Sequence, residues 1–247
     1  MYVAGVLALR EWKRYWTTPV AYLVAFLFFL VLGWIFYGTV AQALFVPGMV
    51  PGPEVIFGPA LTLLVFSIPA LTMRSLSEEN RWGTLELLLT APVREWEVVL
   101  GKWLGVMGVL TLLLAATLVY PLSLEYLVEP GIDWGHVAAG YLGLWLVAAA
   151  LSALGVAVSA LFRSQIAAFV VTLAVFLALW LVGMFAEAGS GGQAAVVFQH
   201  LAFARHFALH FARGVVDLAG VVYLLSLTAF GLFAGTLFLE GHKWRAD

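Results

Sequence analysis

Six long apolar segments dominate this sequence and alternate with shorter polar connections. Each has about the 20 residues that a helix needs to cross a bilayer core about 30 Å thick. None contains Asp, Glu, Lys, Arg or His, and together they cover residues 20–43, 55–73, 103–124, 137–162, 166–186 and 218–239. We therefore expect an all-α, polytopic membrane protein with six transmembrane helices.

The basic residues indicate how these helices are oriented. Ten of the twelve Lys and Arg lie on alternate connections or termini: Arg10, Lys13, Arg14, Arg74, Arg81, Arg94, Lys102, Arg163, Lys243 and Arg245. The charged residues of the first two intervening connections are acidic: Glu54, Glu125, Glu129 and Asp133. Because basic connections are retained inside, this predicts a multi-pass protein of the cell (inner) membrane with both termini cytoplasmic.

Composition agrees with this prediction and excludes several classes of protein. The chain is 64% apolar and 11% charged, against roughly 25% charged residues in soluble domains. A net charge of −2 gives no reason to expect nucleic acid as a partner. The absence of Cys excludes disulfides and thiolate chemistry. We expect a single transmembrane domain over residues 1–247.

An N-terminal interfacial helix is predicted over residues 8–17. On a helix, Arg10, Lys13, Arg14 and Thr17 share one face, whereas Leu9, Trp12, Tyr15 and Trp16 take the other. Trp and Tyr suit the headgroup zone, so the segment can lie flat on the inner surface. The alternative is a basic flank that only sets the orientation of the first span.

The connection between spans 5 and 6 is predicted to contain an external amphipathic helix. After the Gly-rich stretch 189–192, residues 193–213 place polar side chains on one side, namely Gln199, His206, His210 and Arg213. The opposite side carries Leu201, Ala204, Ala208, Phe211 and Ala212. We expect this helix to rest on the outer leaflet or dip partly into it. A seventh span is the alternative, but it would leave two arginines in lipid.

Catalytic motifs are absent, which favours a non-enzymatic membrane protein. No ionisable residue lies in the six spans, which disfavours a proton- or ion-coupled carrier. Metalloprotease and hydrolase motifs are missing, and Gly101-Lys102 is followed by Trp103 rather than by the Ser or Thr of a phosphate-binding loop. The chain therefore cannot hydrolyse a nucleotide alone.

A metal site has one weak pair of candidates in the sequence. His206 and His210 stand one helical turn apart, a spacing that allows two imidazoles to reach one metal ion. A third ligand is not obvious unless His200 contributes. The alternative is a pair of interfacial histidines that extend toward water.

Residues 74–102 carry nine of the 26 charges and form the most polar connection. Within it, Gly83-Thr84-Leu85-Glu86 predicts a helix start, with Thr84 as the cap and Glu86 in the first turn. Ala91-Pro92 ends this short helix, and a second helix from about Arg94 leads into the third span. Leucines 87–89 make the short helix apolar, so it either meets a partner surface or dips into the inner leaflet.

Three pairs of small residues occur four positions apart on the predicted helices. They are Gly101 with Gly105, Gly155 with Ser159, and Gly231 with Gly235. Such pairs let helix backbones approach closely inside a membrane. We assign them to helix packing.

Three stretches of the sequence resemble one family. The segment RSLSEENRWGTLELLLTAPVREWEVVLGKWLG resembles the signature region of the ABC type 2 transporter permeases, in which an acidic pair, Gly-Thr-x-Glu and Pro follow the second span. The opening REWKRYWTTPVAYLVAFLFFLVLGWIF and the later FALHFARGVVDLAGVVYLLSL are similar to the same family, especially its gliding-motility-associated branch. The resemblance extends over essentially the whole chain.

The resemblance implies a fold and a set of functional residues. The fold would have six spans, an N-terminal interfacial helix and a cytoplasmic coupling helix between spans 2 and 3. The coupling element would include Glu78, Glu79, Gly83, Thr84 and Glu86. The membrane-surface helix near the ATPase would carry Arg10, Glu11, Lys13 and Arg14.

The resemblance also implies partners and an activity. A separate cytoplasmic ABC ATPase subunit would bind ATP and Mg²⁺, a second permease would complete a homodimer or heterodimer, and no cofactor would bind this chain directly. The expected function is the permease subunit of an ATP-driven exporter with an unidentified substrate. The alternatives are a membrane scaffold for an extracytoplasmic partner and, less favoured, a channel or secondary carrier.

Overall fold

Helices account for nearly all of the residues that the structure describes. The computed structural model describes residues 2–46, 51–83, 93–129, 131–188 and 202–243. The helices are α1 (Tyr2–Thr17), α2 (Pro19–Phe45), α3 (Glu54–Thr72), α4 (Ser77–Trp82), α5 (Glu95–Ala116), α6 (Val119–Leu127), α7 (Trp134–Leu161), α8 (Gln165–Ala188), α9 (Phe203–Leu209) and α10 (Leu218–Lys243). A 3₁₀ turn, Phe211–Arg213, follows α9.

Within the described ranges, six helical segments are long and apolar enough to cross a membrane. They lie in Pro19–Phe45, Glu54–Trp82, Glu95–Leu127, Trp134–Leu161, Gln165–Val182 and Leu218–Gly241. These match the six spans predicted from sequence, and the chain is a multi-pass membrane protein. We name its two ends the α4 end and the α9 end, after the short helix that lies at each.

Local side-chain bonds define where several helices begin. The backbone N–H of Arg94 donates to Glu97 Oε2 at 3.3 Å at the start of α5, as the predicted helix from about Arg94 requires. Asp133 Oδ1 accepts from the Gly135 N–H at 2.8 Å at the start of α7. Such caps satisfy backbone donors that have no partner within the helix.

The most deeply buried helix is α7, which packs against α3, α5, α8 and α10. By contrast, α2, α8 and α10 bury few of their side chains and leave large apolar residues exposed on the outside of the bundle. In a bilayer, such exposed apolar faces meet lipid or another membrane subunit. The core of the protein therefore forms around α7.

Small residues allow the neighbours of α7 to approach its backbone. A Cβ added at Gly231 of α10 would lie 2.8 Å from the backbone of Ala153 and Leu154, and one added at Gly155 would lie 2.4 Å from Thr72 Oγ1 of α3. Gly235 likewise faces Ala157. The predicted packing role of the three small pairs is confirmed, since Gly101 and Gly105 also lie at a helix contact, described below.

The N-terminal helix differs from the prediction in extent and in one face. It begins at Tyr2 rather than residue 8. Trp12 and Trp16 are exposed and contact each other edge to face at 6.1 Å, as expected for residues in the headgroup zone. Tyr15, however, is buried against the protein, because its hydroxyl donates to the Leu71 carbonyl at 2.9 Å. The helix therefore has a third face, which packs on the bundle.

The segment before α10 also differs from the prediction. Its described part is the short helix α9 and the 3₁₀ turn, with Phe203, Phe207 and Phe211 fully buried. Phe211 and Phe207 lie against Gly143 of α7, and the Phe203 and Trp180 rings are 6.2 Å apart. Ala208 of the predicted apolar face is exposed. The three phenylalanines anchor this segment to the bundle. Residues 193–201 of the predicted helix lie outside the described residues.

Gly231→Ala should destabilise the fold by about 1–3 kcal/mol, because the new methyl group would overlap the α7 backbone. Gly38→Ala is the matched control, since a Cβ there meets nothing within 4 Å. Thermal unfolding in detergent measures both. Equal midpoints for the two variants would contradict the close contact between α7 and α10.

Candidate functional site

Three charged side chains from three helices meet at the α4 end. Lys102 of α5 donates from Nζ to Glu79 Oε1 of α4 at 2.8 Å and to Glu11 Oε1 of α1 at 3.1 Å. The exposed fractions of the three side chains are 2% for Lys102, 11% for Glu79 and 6% for Glu11. Because a buried ammonium group is costly without anionic partners, these contacts fix the relative positions of α1, α4 and α5.

A second pair extends this group toward the surface. Arg14 Nη2 lies 2.6 Å from Glu78 Oε2, and Arg14 Nη1 lies 3.9 Å from Glu11 Oε2. We call Glu11, Arg14, Glu78, Glu79 and Lys102 the ion-pair cluster. With three carboxylates and two cations, it carries a formal charge of −1 when all five groups are ionised.

A groove of glycines on α5 brings α1 close enough for these contacts. A Cβ added at Gly105 would lie 2.7 Å from Glu11 Cβ, and one at Gly101 would lie 2.7 Å from Leu7 Cβ and 3.0 Å from the Ala4 carbonyl. Gly108 makes the same kind of approach to the Trp12 ring. Because Lys102 follows Gly101 directly, the groove that seats α1 also positions the ammonium group beside Glu11.

The turn between α3 and α4 is held from both sides. Tyr15 of α1 donates to the Leu71 carbonyl, and the Leu76 N–H donates to Ser159 Oγ of α7 at 3.2 Å. Burial, reinforced by the Glu11 carboxylate, raises the pKa of Tyr15 well above its ordinary value. Tyr15 therefore stays protonated and keeps its donor role at physiological pH.

The residues expected in the coupling element divide into a described and an undescribed part. Glu78 and Glu79 lie in the first turn of α4, where both belong to the ion-pair cluster. Gly83 ends α4 with φ +69°, a left-handed conformation that favours glycine. Thr84 and Glu86 lie outside the described residues, as does the helix start predicted for them.

The residues expected on the membrane-surface helix have different environments. Arg10 and Lys13 are exposed, and Arg14 is partly exposed and paired. Glu11 is buried, whereas the two-face projection of residues 8–17 assigned it to neither face.

Sequence reasoning missed the functional position of Lys102 and the helix α4. The sequence did contain a pattern that indicates a buried position for Lys102. Gly101, Gly105 and Gly108 lie on one face of α5, and this spacing predicts that another helix packs closely against that face. Ala4, Ala8, Glu11 and Tyr15 recur on one face of α1 and supply the matching surface. A Glu inside that otherwise small or aromatic stripe indicates a buried cation opposite.

The candidate metal residues lie at the other end of the molecule. His206 of α9 stacks on Tyr223 of α10 with ring centroids 4.7 Å apart, and His210 follows the last residue of α9. In the part of the chain that the structure describes, no three His, Asp or Glu side chains cluster in a way that could hold a metal ion.

Comparison with known proteins identifies the family. No curated protein matches the chain. A family model described as ABC-2 family transporter protein matches residues 53–213, which is well over half of the sequence and runs from α3 to the 3₁₀ turn. The chain belongs to the ABC-2 transporter family and is a membrane permease subunit of an ABC transporter.

Proposed function

We propose that this chain is the permease subunit of an ATP-driven exporter, which moves an unidentified substrate by alternating between conformations. A separate ABC ATPase subunit supplies the energy. Family membership supports this proposal, and the observation that carries it further is the ion-pair cluster, which ties α4 to α1 and α5 directly before the motif-bearing residues 84–92.

Residues 84–92 are suited to a coupling role because the ion-pair cluster holds together the helices that precede and follow them. The segment leaves α4 at Gly83 and returns to α5 at Glu95. Glu79 lies before it and Lys102 after it, and these two side chains are joined at 2.8 Å. When the ends of a segment are anchored, a force applied to it displaces α3 and α5 as rigid bodies. With unanchored ends, the same force would only change the conformation of the loop.

The surroundings of the segment suit a docking site for the ATPase. Arg10 and Lys13 are exposed on α1, and Trp82 is exposed at the end of α4. In this proposal Glu78, Glu79, Gly83, Thr84 and Glu86 form the coupling element, with Arg10, Glu11, Lys13 and Arg14 beside it. ATP and Mg²⁺ bind to the ATPase, since this chain contains no phosphate-binding loop.

The proposed transporter also has a second subunit, an orientation and a location in the cell. A second permease, identical or related, covers part of the apolar faces of α2, α8 and α10, and lipid covers the rest. The α4 end faces the cytoplasm, with both termini, and the protein lies in the inner membrane as one domain over residues 1–247. Its assignment to the gliding-motility-associated branch stays a prediction from the three resembling stretches.

Purification of the tagged full chain from its native membranes should recover a subunit with a phosphate-binding loop and vanadate-sensitive ATP hydrolysis. Mass spectrometry identifies the subunit, and a coupled assay measures phosphate release. Recovery of an extracytoplasmic protein without any ATPase would contradict the exporter and favour the scaffold alternative.

Cysteine labelling tests the orientation, because the chain has no Cys of its own. Trp82 at the α4 end is 72% exposed, and Tyr126 near the opposite end is 89% exposed. In cells whose outer membrane has been made permeable and whose inner membrane is intact, a membrane-impermeant maleimide should label Tyr126→Cys. Trp82→Cys should react only after the inner membrane has also been permeabilised. The reverse pattern would refute a cytoplasmic α4 end.

Replacement of Lys102 tests the cluster that carries the proposal. Lys102→Met leaves Glu11 and Glu79 buried without their cation, so we expect a loss of about 3–5 kcal/mol in unfolding free energy and loss of the bound ATPase. The triple variant Lys102→Met, Glu11→Gln, Glu79→Gln removes all three charges, and most of the stability should return. Thermal unfolding and the amount of ATPase recovered with the tagged chain measure the two effects.

Lys13→Met is the matched control for this set, since Lys13 lies on α1 but is exposed. It should leave the unfolding midpoint unchanged. If Lys102→Met is as stable as this control, the cluster does not hold α4 in place. If the stable triple variant no longer binds the ATPase, the charges themselves contribute to docking.

A further inference from the structure

The phenylalanines of the α9 segment reach well into the bundle, while Ala208 and Leu209 are exposed. Phe207 and Phe211 contact Gly143, which is nine residues after Trp134, the first residue of α7. At 1.5 Å per residue this places the contact about 13 Å from the end of α7. His206 stacks on Tyr223, about 8 Å from the start of α10 by the same measure. The polar side chains of α9 are therefore near or below the level of the membrane headgroups.

Arg205 has one polar atom that this position leaves unsatisfied. The residue is partly exposed and lies on α9 between the buried Phe203 and Phe207. Its Nη1 is buried and forms no hydrogen bond with any described residue, and the same holds for Nδ1 of His210. A guanidinium group at membrane depth without an anionic partner is costly, so such a residue indicates a functional site.

Two acidic residues at this end of the molecule make contacts other than to Arg205. Asp217 Oδ2 accepts from the Gly220 N–H at 3.1 Å at the start of α10. Glu54 Oε1 lies 3.9 Å from His136 Nδ1, and His136 Nε2 bonds to the Ala212 carbonyl at 2.8 Å. Across the described ranges, neither Arg205 nor Arg213 forms an ion pair. The described acidic side chains therefore leave Arg205 able to bind an external anion.

We propose that the α9 segment binds the phosphate group of an anionic lipid, with Arg205 as its main ligand and His210 as a second donor. The planar guanidinium fork matches phosphate oxygens, and His210 can donate to the same group when Nδ1 carries a proton. Leu209, which precedes His210, and Val215, whose N–H donates to the His210 carbonyl at 3.0 Å, are both exposed and supply an apolar surface for acyl chains. The three buried phenylalanines hold the segment rigidly in the position that binding requires.

This site is independent of the proposed coupling role. It lies at the opposite end of the bundle from the ion-pair cluster, and it requires neither the ATPase nor a particular orientation in the membrane. Its test therefore uses the purified full chain without a partner, and failure of the test leaves the proposed exporter function untouched.

Thermal unfolding of the detergent-purified chain measures binding through the rise in unfolding midpoint with added probe. The probes are dioctanoyl phosphatidylglycerol, dioctanoylglycerol, which lacks the phosphate, and soluble glycerol phosphate. We expect phosphatidylglycerol to stabilise the protein and dioctanoylglycerol to have no comparable effect.

Arg205→Gln should weaken binding roughly 10- to 100-fold, since it removes a charge-assisted hydrogen bond, and His210→Gln should weaken it less. Arg163→Gln, an exposed arginine at the α4 end, should bind as the unchanged chain does.

Each outcome of this experiment decides between named alternatives. Stabilisation by glycerol phosphate equal to that by phosphatidylglycerol supports a phosphate site but overturns the lipid as its source. Stabilisation that persists in Arg205→Gln overturns the site altogether. The unfolding midpoint of Arg205→Gln without any added probe is a separate readout. If Arg205 is a ligand-binding residue, this midpoint should be no lower than that of the unchanged chain. An earlier midpoint would assign Arg205 a structural role and contradict the proposal.

Discussion

The arrangement of the α4 end depends on the need to neutralise one buried ammonium group. Lys102 is 2% exposed, and its carboxylate partners come from two helices that are distant from it in sequence, Glu11 of α1 and Glu79 of α4. If either helix moved away, a charge would be left in a medium of low polarity, at a cost comparable to a large part of the stability of a protein. The N-terminal helix is therefore part of the bundle, although its exposed tryptophans are of a type that suits the membrane surface.

The ion pairs require a close helix contact, and glycine provides it. Without the glycines at 101, 105 and 108, side chains on α5 would separate α1 from it, and Glu11 would not reach Lys102. The same solution recurs at Gly155 and Gly231 around α7. Because lipid gives apolar helices no reason to cluster, close backbone contact and buried polar groups determine which helices pair. In this protein α5 carries both: the glycines that allow close backbone contact with α1, and the buried Lys102.

Sequence patterns predicted the features that depend on length and polarity and missed those that depend on tertiary contacts. The six spans, the start of α5 near Arg94 and the packing role of the small pairs are confirmed, because membrane thickness, helix capping and side-chain volume act locally. Burial of Glu11 was not predicted, because its cation lies 91 residues away. The inward packing of Phe203, Phe207 and Phe211 was missed for a related reason: at helical spacing, a row of phenylalanines fits a lipid surface as well as a glycine-lined groove on another helix.

The two ends of the molecule are connected through α3 and α7. At the α4 end, Thr72 fits against Gly155, and Leu76 donates its N–H to Ser159. Toward the α9 end, the Phe57 ring fits against Gly140 of the same pair of helices and is 6.4 Å from the Phe207 ring. Contacts at both ends of one helix pair oppose sliding of α3 along α7, because the glycines accept their partner side chains at only one register. A displacement of α4 would therefore carry α3 and α7 together and reach the phenylalanines that hold α9. Such a rigid connection suits the proposed exporter, in which the ATPase would act at the α4 end and the movement would have to reach the α9 end.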